Sequence, residues 1–142
     1  MPDHFRIVPI GTIHNPEEGS VWIDLQPQYA DGLLGLENFS HIAVLYWLDR
    51  NDTPEQRRVL QVHPRRNVAN PLTGVFATHA PVRPNPIALT ICKLLAVQGC
   101  RLFIEGIDAL DGSPLVDIKA YIPSREEEKG VRVPDWVRTG HS

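Results

Sequence analysis

The residues able to do chemistry gather in three stretches of this chain. The first is residues 105–121, which hold Glu105, Asp108, Asp111, Asp117, Lys119 and Tyr121. Asp111 followed by Gly112 suits a turn, because Asp caps turns and Gly accepts a positive φ. Asp117 and Lys119 are two apart on an extended run and share one face, which Tyr121 continues. Carboxylates and a lysine beside one strand would line a polar pocket at a barrel mouth. A solvated edge next to a hairpin turn accounts for the same spacing. The second stretch is residues 74–89, where Pro81, Pro84 and Pro86 bracket Arg83 and Asn85. Each proline fixes its own φ and restricts the residue before it, so Arg83 and Asn85 are held on a stiff extended backbone. Such a segment binds at a small ordering cost; it also reads as a proline-rich surface loop. The third is residues 50–66, with Arg50, Arg57, Arg58, Arg65 and Arg66, five of the chain's 14 basic residues. It would suit a phosphate backbone, or simply form a solvated face.

Other chemistries have less support. His41, His63 and His79 show no HxH or HExxH spacing, so no metal site is expected, and His41 reads as a core histidine. There is no GxSxG, GxGxxG or GxxxxGK[ST] pattern, which removes the activated-serine, Rossmann and P-loop readings. Cys92 and Cys100 form no CxxC pair and are too few for a disulfide framework. Cys92 lies in an apolar run and reads as a small packed hydrophobe.

The elements that must position these groups read as short strands closed by turns. Residues 5–13 form a first strand, ended by His14-Asn15-Pro16. Residues 20–26 alternate, with Val21, Ile23 and Leu25 on one face. Residues 32–39 read as a turn with one helical turn. Residues 42–48 are continuously apolar and predict a strand buried on both faces, with Trp47 in the core. Thr53 and Pro54 open a short helix as cap and first position. Brief strands follow at residues 59–63 and 74–78. Residues 87–97 and 101–107 pair across Gln98-Gly99-Cys100 as a hairpin, and residues 115–122 form the last strand. Many short strands with almost no helical periodicity predict an all-β fold, a compact single-domain β-barrel with short helical turns. The barrel is assigned to residues 1–123. The tail, residues 124–142, is expected to pack on the barrel or on a partner subunit, because Trp136 and Val137 would otherwise form a sticky patch.

Composition agrees with an ordinary globular chain. Its 142 residues are 42% apolar and 22% charged, with a formal net charge of -3, which argues against a surface coated in positive charge while leaving room for a local basic patch. No apolar run approaches the roughly 20 residues of a membrane span. The first residues lack a basic region followed by an apolar stretch. A cytoplasmic location with no membrane partner is expected.

Two of these stretches resemble a known family. Val75-Phe76-Ala77-Thr78 running into Arg83-Pro84-Asn85-Pro86-Ile87 is similar to one signature of the TsaA-like (YaeB/TrmO) proteins, and residues 108–121 are similar to a second. Ile10-Gly11-Thr12-Ile13 and Gly35-Leu36-Glu37-Asn38-Phe39-Ser40-His41 add to the resemblance, which covers residues 5–123. It implies a β-barrel that binds S-adenosylmethionine (SAM), works as a homodimer, and methylates N6 of N6-threonylcarbamoyladenosine beside the tRNA anticodon. By the same resemblance the cofactor contacts fall on Asp49 and Arg50, on His79, on Leu89, and on Glu105, Gly106, Ile107 and Asp108. There are departures. Pro16-Glu17-Glu18-Gly19 stands where relatives carry a longer loop with Pro-Arg-Gln. His79 stands where arginine is common, Asp49-Arg50 where His-Gln is common, and Ala88 where glycine is common.

The residues expected to carry the reaction are Arg83 and Asn85, orienting the substrate, and Asp111, Lys119 and Tyr121 in the pocket. Arg57, Arg58, Arg65 and Arg66 would meet tRNA phosphates at the anticodon loop. An unpaired base there would stack on a rim aromatic. Two further readings share the motifs: a methyltransferase for another acceptor, such as a small metabolite, and a non-catalytic SAM-binding module.

Overall fold

A computed structural model gives the structure of residues 2–124 and 129–138. The chain divides into two compact units, Met1–Arg50 with Pro86–Tyr121, and Asn51–Asn85 with Ile122–Ser142.

The first unit is a closed barrel. Its strands are β1 (Gly11–His14), β2 (Val21–Leu25), β3 (His41–Trp47), then β6 (Ile87–Gln98), β7 (Arg101–Glu105) and β8 (Ser113–Ala120), after α1 (Pro54–Arg57), β4 (Gln61–Val62) and β5 (Thr73–Gly74) of the second unit. The order around the barrel is β1-β2-β7-β6-β3-β8, and every pairing is antiparallel. The expected all-β barrel with short helical turns is therefore present. Alternation puts Ile13, Ile23, Leu25, Ile42, Val44, Leu102, Ile104 and Leu115 inside, all buried. In so small a barrel side chains fill the interior, and burying each is worth ~1.5–3 kcal/mol. Gly11 is required by close approach: a Cβ there would lie 2.4 Å from the Asp24 carbonyl oxygen.

Three strand expectations need correcting. The ladder of the first strand holds only Gly11–His14, and Phe5 and Ile7 are exposed; Pro9 has no N–H to extend it. β3 is buried on one face only. Ile42, Val44 and Tyr46 face inward, while Ala43, Leu45 and Trp47 are half-buried outside, as a barrel wall demands. Trp47 is thus on the outer wall, opposite Ile87, rather than in the core. Of residues 74–78 only Gly74 is in a strand, because the Thr78 hydroxyl donates to the Val75 carbonyl at 2.8 Å and closes a 3-10 turn over Val75–Ala77.

The second unit holds α1 and a two-stranded β4-β5 sheet. The expected cap is there: Thr53 Oγ1 accepts from the Gln56 N–H at 3.2 Å, and Pro54 opens the helix. A second short helix, α2 (Asp135–Arg138), belongs to this unit. Arg65 holds it, donating from Nη2 to the Val137 carbonyl at 3.1 Å, with its guanidinium 5.8 Å from the Trp136 ring centre. The tail expectation falls partly on residues 125–128 and 139–142, outside the described residues.

Candidate functional site

The barrel end formed by the β7–β8 loop carries the densest polar network of the first unit. Gly112 turns that loop with φ +85°, donating its N–H to the Ile13 carbonyl at 2.8 Å. Ser113 Oγ donates to the Leu110 carbonyl at 2.6 Å. Asn15, from the β1–β2 loop, clasps it from the other side. Its backbone N–H donates to Asp111 Oδ1 at 2.8 Å, and its Nδ2 donates to the carbonyls of Ala109 at 2.7 Å and Ile107 at 3.4 Å. Arg50, just after β3, donates from Nη2 to the Asp111 carbonyl at 2.9 Å. Tyr46, whose ring is buried, donates its hydroxyl to Asp108 Oδ1 at 3.2 Å. Burial first, and the Asp108 charge with it, push the Tyr46 phenol above its ordinary value. It stays a neutral donor to Asp108 across the physiological range.

This geometry sorts the expected site residues of the barrel. Arg50, Asp108 and Asp111 come together with Gly106 and Ile107 at one barrel end. Asp49 is exposed beside Arg50. Glu105 ends β7 opposite Lys93 and is exposed. Leu89 lies on the outer face of β6 opposite Leu45, with 61% of its surface exposed. Lys119 and Tyr121 do not join Asp111. Lys119 pairs with Ala43 on the outer wall, and Tyr121 meets His41 edge-on at 6.4 Å. Lys119 lies six residue steps along β8 from Ser113, beyond the Asp111 turn, roughly 20 Å at ~3.3 Å per residue, and Tyr121 lies further still. The pocket expected from the shared face of Asp117, Lys119 and Tyr121 is therefore not at the mouth with Asp108 and Asp111. His41 is half-buried, its Nδ1 2.8 Å from Ser40 Oγ.

In the second unit one arginine organises the proline-bracketed segment. Arg57 donates from Nε to the Pro84 carbonyl at 2.8 Å, from Nη1 to Asp52 Oδ1 at 3.0 Å, and from Nη2 to Asn85 Oδ1 at 3.0 Å. Arg83 folds back, donating from Nη1 to the carbonyls of Ala80 at 2.9 Å and Thr78 at 3.3 Å. It closes the loop that carries the exposed His79. Arg57 is half-buried and spends three nitrogens on protein oxygens, Arg65 is exposed and spends one, and Arg58 and Arg66 are exposed.

Sequence reasoning missed Asn15 and Tyr46. Asn15 reads as part of a strand-ending turn, and nothing in its spacing marks it. Tyr46 carried a signal: a tyrosine inside an apolar strand needs a partner for its hydroxyl. Among the described residues no group of three or more His, Cys, Asp or Glu side chains is placed to hold a metal ion. No helix among them is long and apolar enough to cross a membrane.

Comparison with known proteins places this architecture. A probable S-adenosyl-L-methionine-binding protein of Pyrococcus horikoshii is 45% identical over 117 residues, covering 82% of each chain. The human tRNA (adenine(37)-N6)-methyltransferase is 41% identical over 102 residues, which cover 72% of this chain and 22% of that one. The crystal structure of TrmO from P. aeruginosa superposes with a TM-score of 0.72 at 27% identity, over 96% of this chain and 63% of that one. The chain therefore spans about three-fifths of the length of that solved protein. The family described as the tRNA-methyltransferase O N-terminal domain matches residues 6–127, and the chain belongs to that family.

Proposed function

We propose that the protein is a SAM-dependent methyltransferase acting on tRNA, and that its target is N6 of N6-threonylcarbamoyladenosine next to the anticodon. The observation that carries the reading is the clasped β7–β8 loop, which fixes Asp108 and the backbone of residues 105–108 at the barrel end.

The donor set there fits SAM. Exposed Asp49, Glu105 and Asp108 offer negative charge to an ammonium and a sulfonium. Arg50 spends one nitrogen on the Asp111 carbonyl and keeps further donors for a carboxylate. SAM, when bound, supplies a methyl group on a positively charged sulfur, ready for in-line displacement. The chain supplies position and electrostatics. Tyr46 orients Asp108 through its hydroxyl. Asp111 acts through the loop, its carboxylate fixed by Asn15, so it is a positioning residue. Asn85 has its amide oxygen engaged by Arg57 and presents its amide nitrogen to substrate. Arg83 shapes the loop that carries His79. Arg58, Arg65 and Arg66, all exposed, are assigned the phosphate contacts, since Arg57 is spent on Pro84, Asp52 and Asn85.

A second copy of the chain is assigned to the outer face of β6. Ile87, Leu89 and Ile91 form an exposed apolar stripe there, which Lys93 ends before Leu95. A two-fold axis through this stripe would set the same apolar side chains of two copies against each other. The cytoplasm, where tRNA is modified, is the proposed location. The test is nucleoside analysis of tRNA from cells with and without the gene. Loss of the methylated threonylcarbamoyladenosine alone supports the reading, and an unchanged nucleoside profile overturns it.

A further inference from the structure

Phe76 is the most exposed of the aromatic side chains in the second unit, at 78%, yet it sits on one of that unit's best-fixed turns. Its neighbour Val75 is 1% exposed and donates its N–H to the Leu60 carbonyl at 2.9 Å. On the other side the Thr78 N–H and hydroxyl both reach the Val75 carbonyl, at 3.1 and 2.8 Å. Thr78 Oγ1 also accepts from the Ala80 N–H at 3.1 Å, and Arg83 holds the Thr78 carbonyl. The backbone beneath Phe76 is therefore tied at both ends, with the ring turned to solvent. Leaving a Phe ring in water forgoes burial free energy, which a partner covering it would recover.

The surrounding charge says what kind of partner. Residues 51–85 carry five arginines against the two carboxylates of Asp52 and Glu55, in a chain whose net charge is -3. Of those arginines, Arg58 and Arg66 are exposed on either side of β4, whose partner β5 leads into the Phe76 turn. A flat apolar ring on a segment of net positive charge fits a polyanion that presents flat apolar faces. Single-stranded RNA does so, whereas a duplex hides its bases. We infer that Phe76 is a stacking platform for an unpaired base of the RNA substrate, placed by the Val75–Thr78 turn. The inference rests on the tRNA reading above and adds a specific base-contacting residue to it.

The test measures binding of a fluorescent anticodon stem-loop RNA, and of a fully paired hairpin of equal charge, to the full chain and its variants. Phe76→Ala should weaken stem-loop binding by roughly 5- to 150-fold, the cost of one lost stack. Phe76→Trp should bind as the parent does, and Phe76→Leu should behave like Phe76→Ala. The salt slope of stem-loop binding and the affinity for the paired hairpin should not change, because no phosphate contact is lost. Parent-like stem-loop binding by Phe76→Ala overturns the inference while leaving the tRNA reading in place. So does a change in sedimentation without a change in RNA affinity, which would assign the ring to a second copy. Failure of the unaltered protein to bind RNA overturns the tRNA reading itself, and this inference with it.

Discussion

The side-chain amide of Asn15 donates to the carbonyl of Ala109 at 2.7 Å, joining two loops 94 residues apart in sequence. With its second bond to the Ile107 carbonyl and its backbone bond to Asp111, Asn15 is the clasp of the candidate cofactor loop. Asn15→Ala leaves those carbonyls without this donor and should cost about 1–2 kcal/mol of stability. SAM affinity should fall roughly tenfold, equivalent to ~1.4 kcal/mol. Asn15→Asp should be worse, since a carboxylate cannot donate and would face Asp111. Calorimetry for SAM and thermal melts check both, and unchanged SAM affinity in Asn15→Asp would contradict the clasp.

Arg57 differs from its neighbouring arginines in what its guanidinium touches. Its three contacts, with Pro84, Asp52 and Asn85, need the planar fork that lysine lacks. Arg57→Ala and Arg57→Lys should both lower kcat/KM for methyl transfer by about tenfold or more through misplacement of Asn85, with the salt slope of tRNA binding retained. Arg58→Ala and Arg66→Ala should each reduce that slope by about one. The two kinds of effect are separated by titrating tRNA binding against salt.

The barrel's acid stability should depend on Asp24. Its carboxylate accepts from Arg101 Nε at 2.8 Å and from Trp22 Nε1 at 3.1 Å, with His14 Nε2 3.1 Å away. The Arg101 hydrogen bond above all holds the Asp24 carboxyl below its usual value of 3.8. The unfolded chain thus binds this proton more tightly than the folded one. Stability from Asp24 is present above pH ~4 and lost as pH falls through the lowered value. The group is partly exposed, so the contribution is no more than about 1 kcal/mol. Melting Asp24→Asn from pH 2 to 5 should show a shallower fall on the acid side than the parent, and parallel curves would contradict this.

The apolar stripe on β6 predicts a self-association that one charge should break. Ile91 is exposed on that outer face, opposite Ala43. Ile91→Glu should convert a sedimenting dimer to monomer with little change in Tm, because the side chain is not in the barrel core. Persistence of the dimer would assign the interface to another surface.

The barrel was legible because its strands obey a period of two and end at Pro or Gly. Ile23 and Leu25 on β2 and the turn at Gly99 follow from local chemistry alone. Strand ends were less legible where one residue decided them: Pro9 shortens β1, and the Thr78 hydroxyl converts the end of β5 to a 3-10 turn. The site was legible as residue types but not as an arrangement. Asp111 and Lys119 looked like one pocket because both lie beside one strand, but they fall towards opposite ends of it. Arg57 looked like a free cation, since sequence does not show which carbonyls a long side chain will meet. Asn15 could not be found, because its partners lie across the barrel end and exist only after folding.

The central claim is tested most directly by methyl transfer in vitro. The protein would be incubated with labelled SAM and total tRNA carrying N6-threonylcarbamoyladenosine, beside tRNA lacking that modification. Label should enter only the modified tRNA, on the threonylcarbamoyladenosine nucleoside. Equal label in both, or none in either with SAM still bound, would contradict the proposed acceptor.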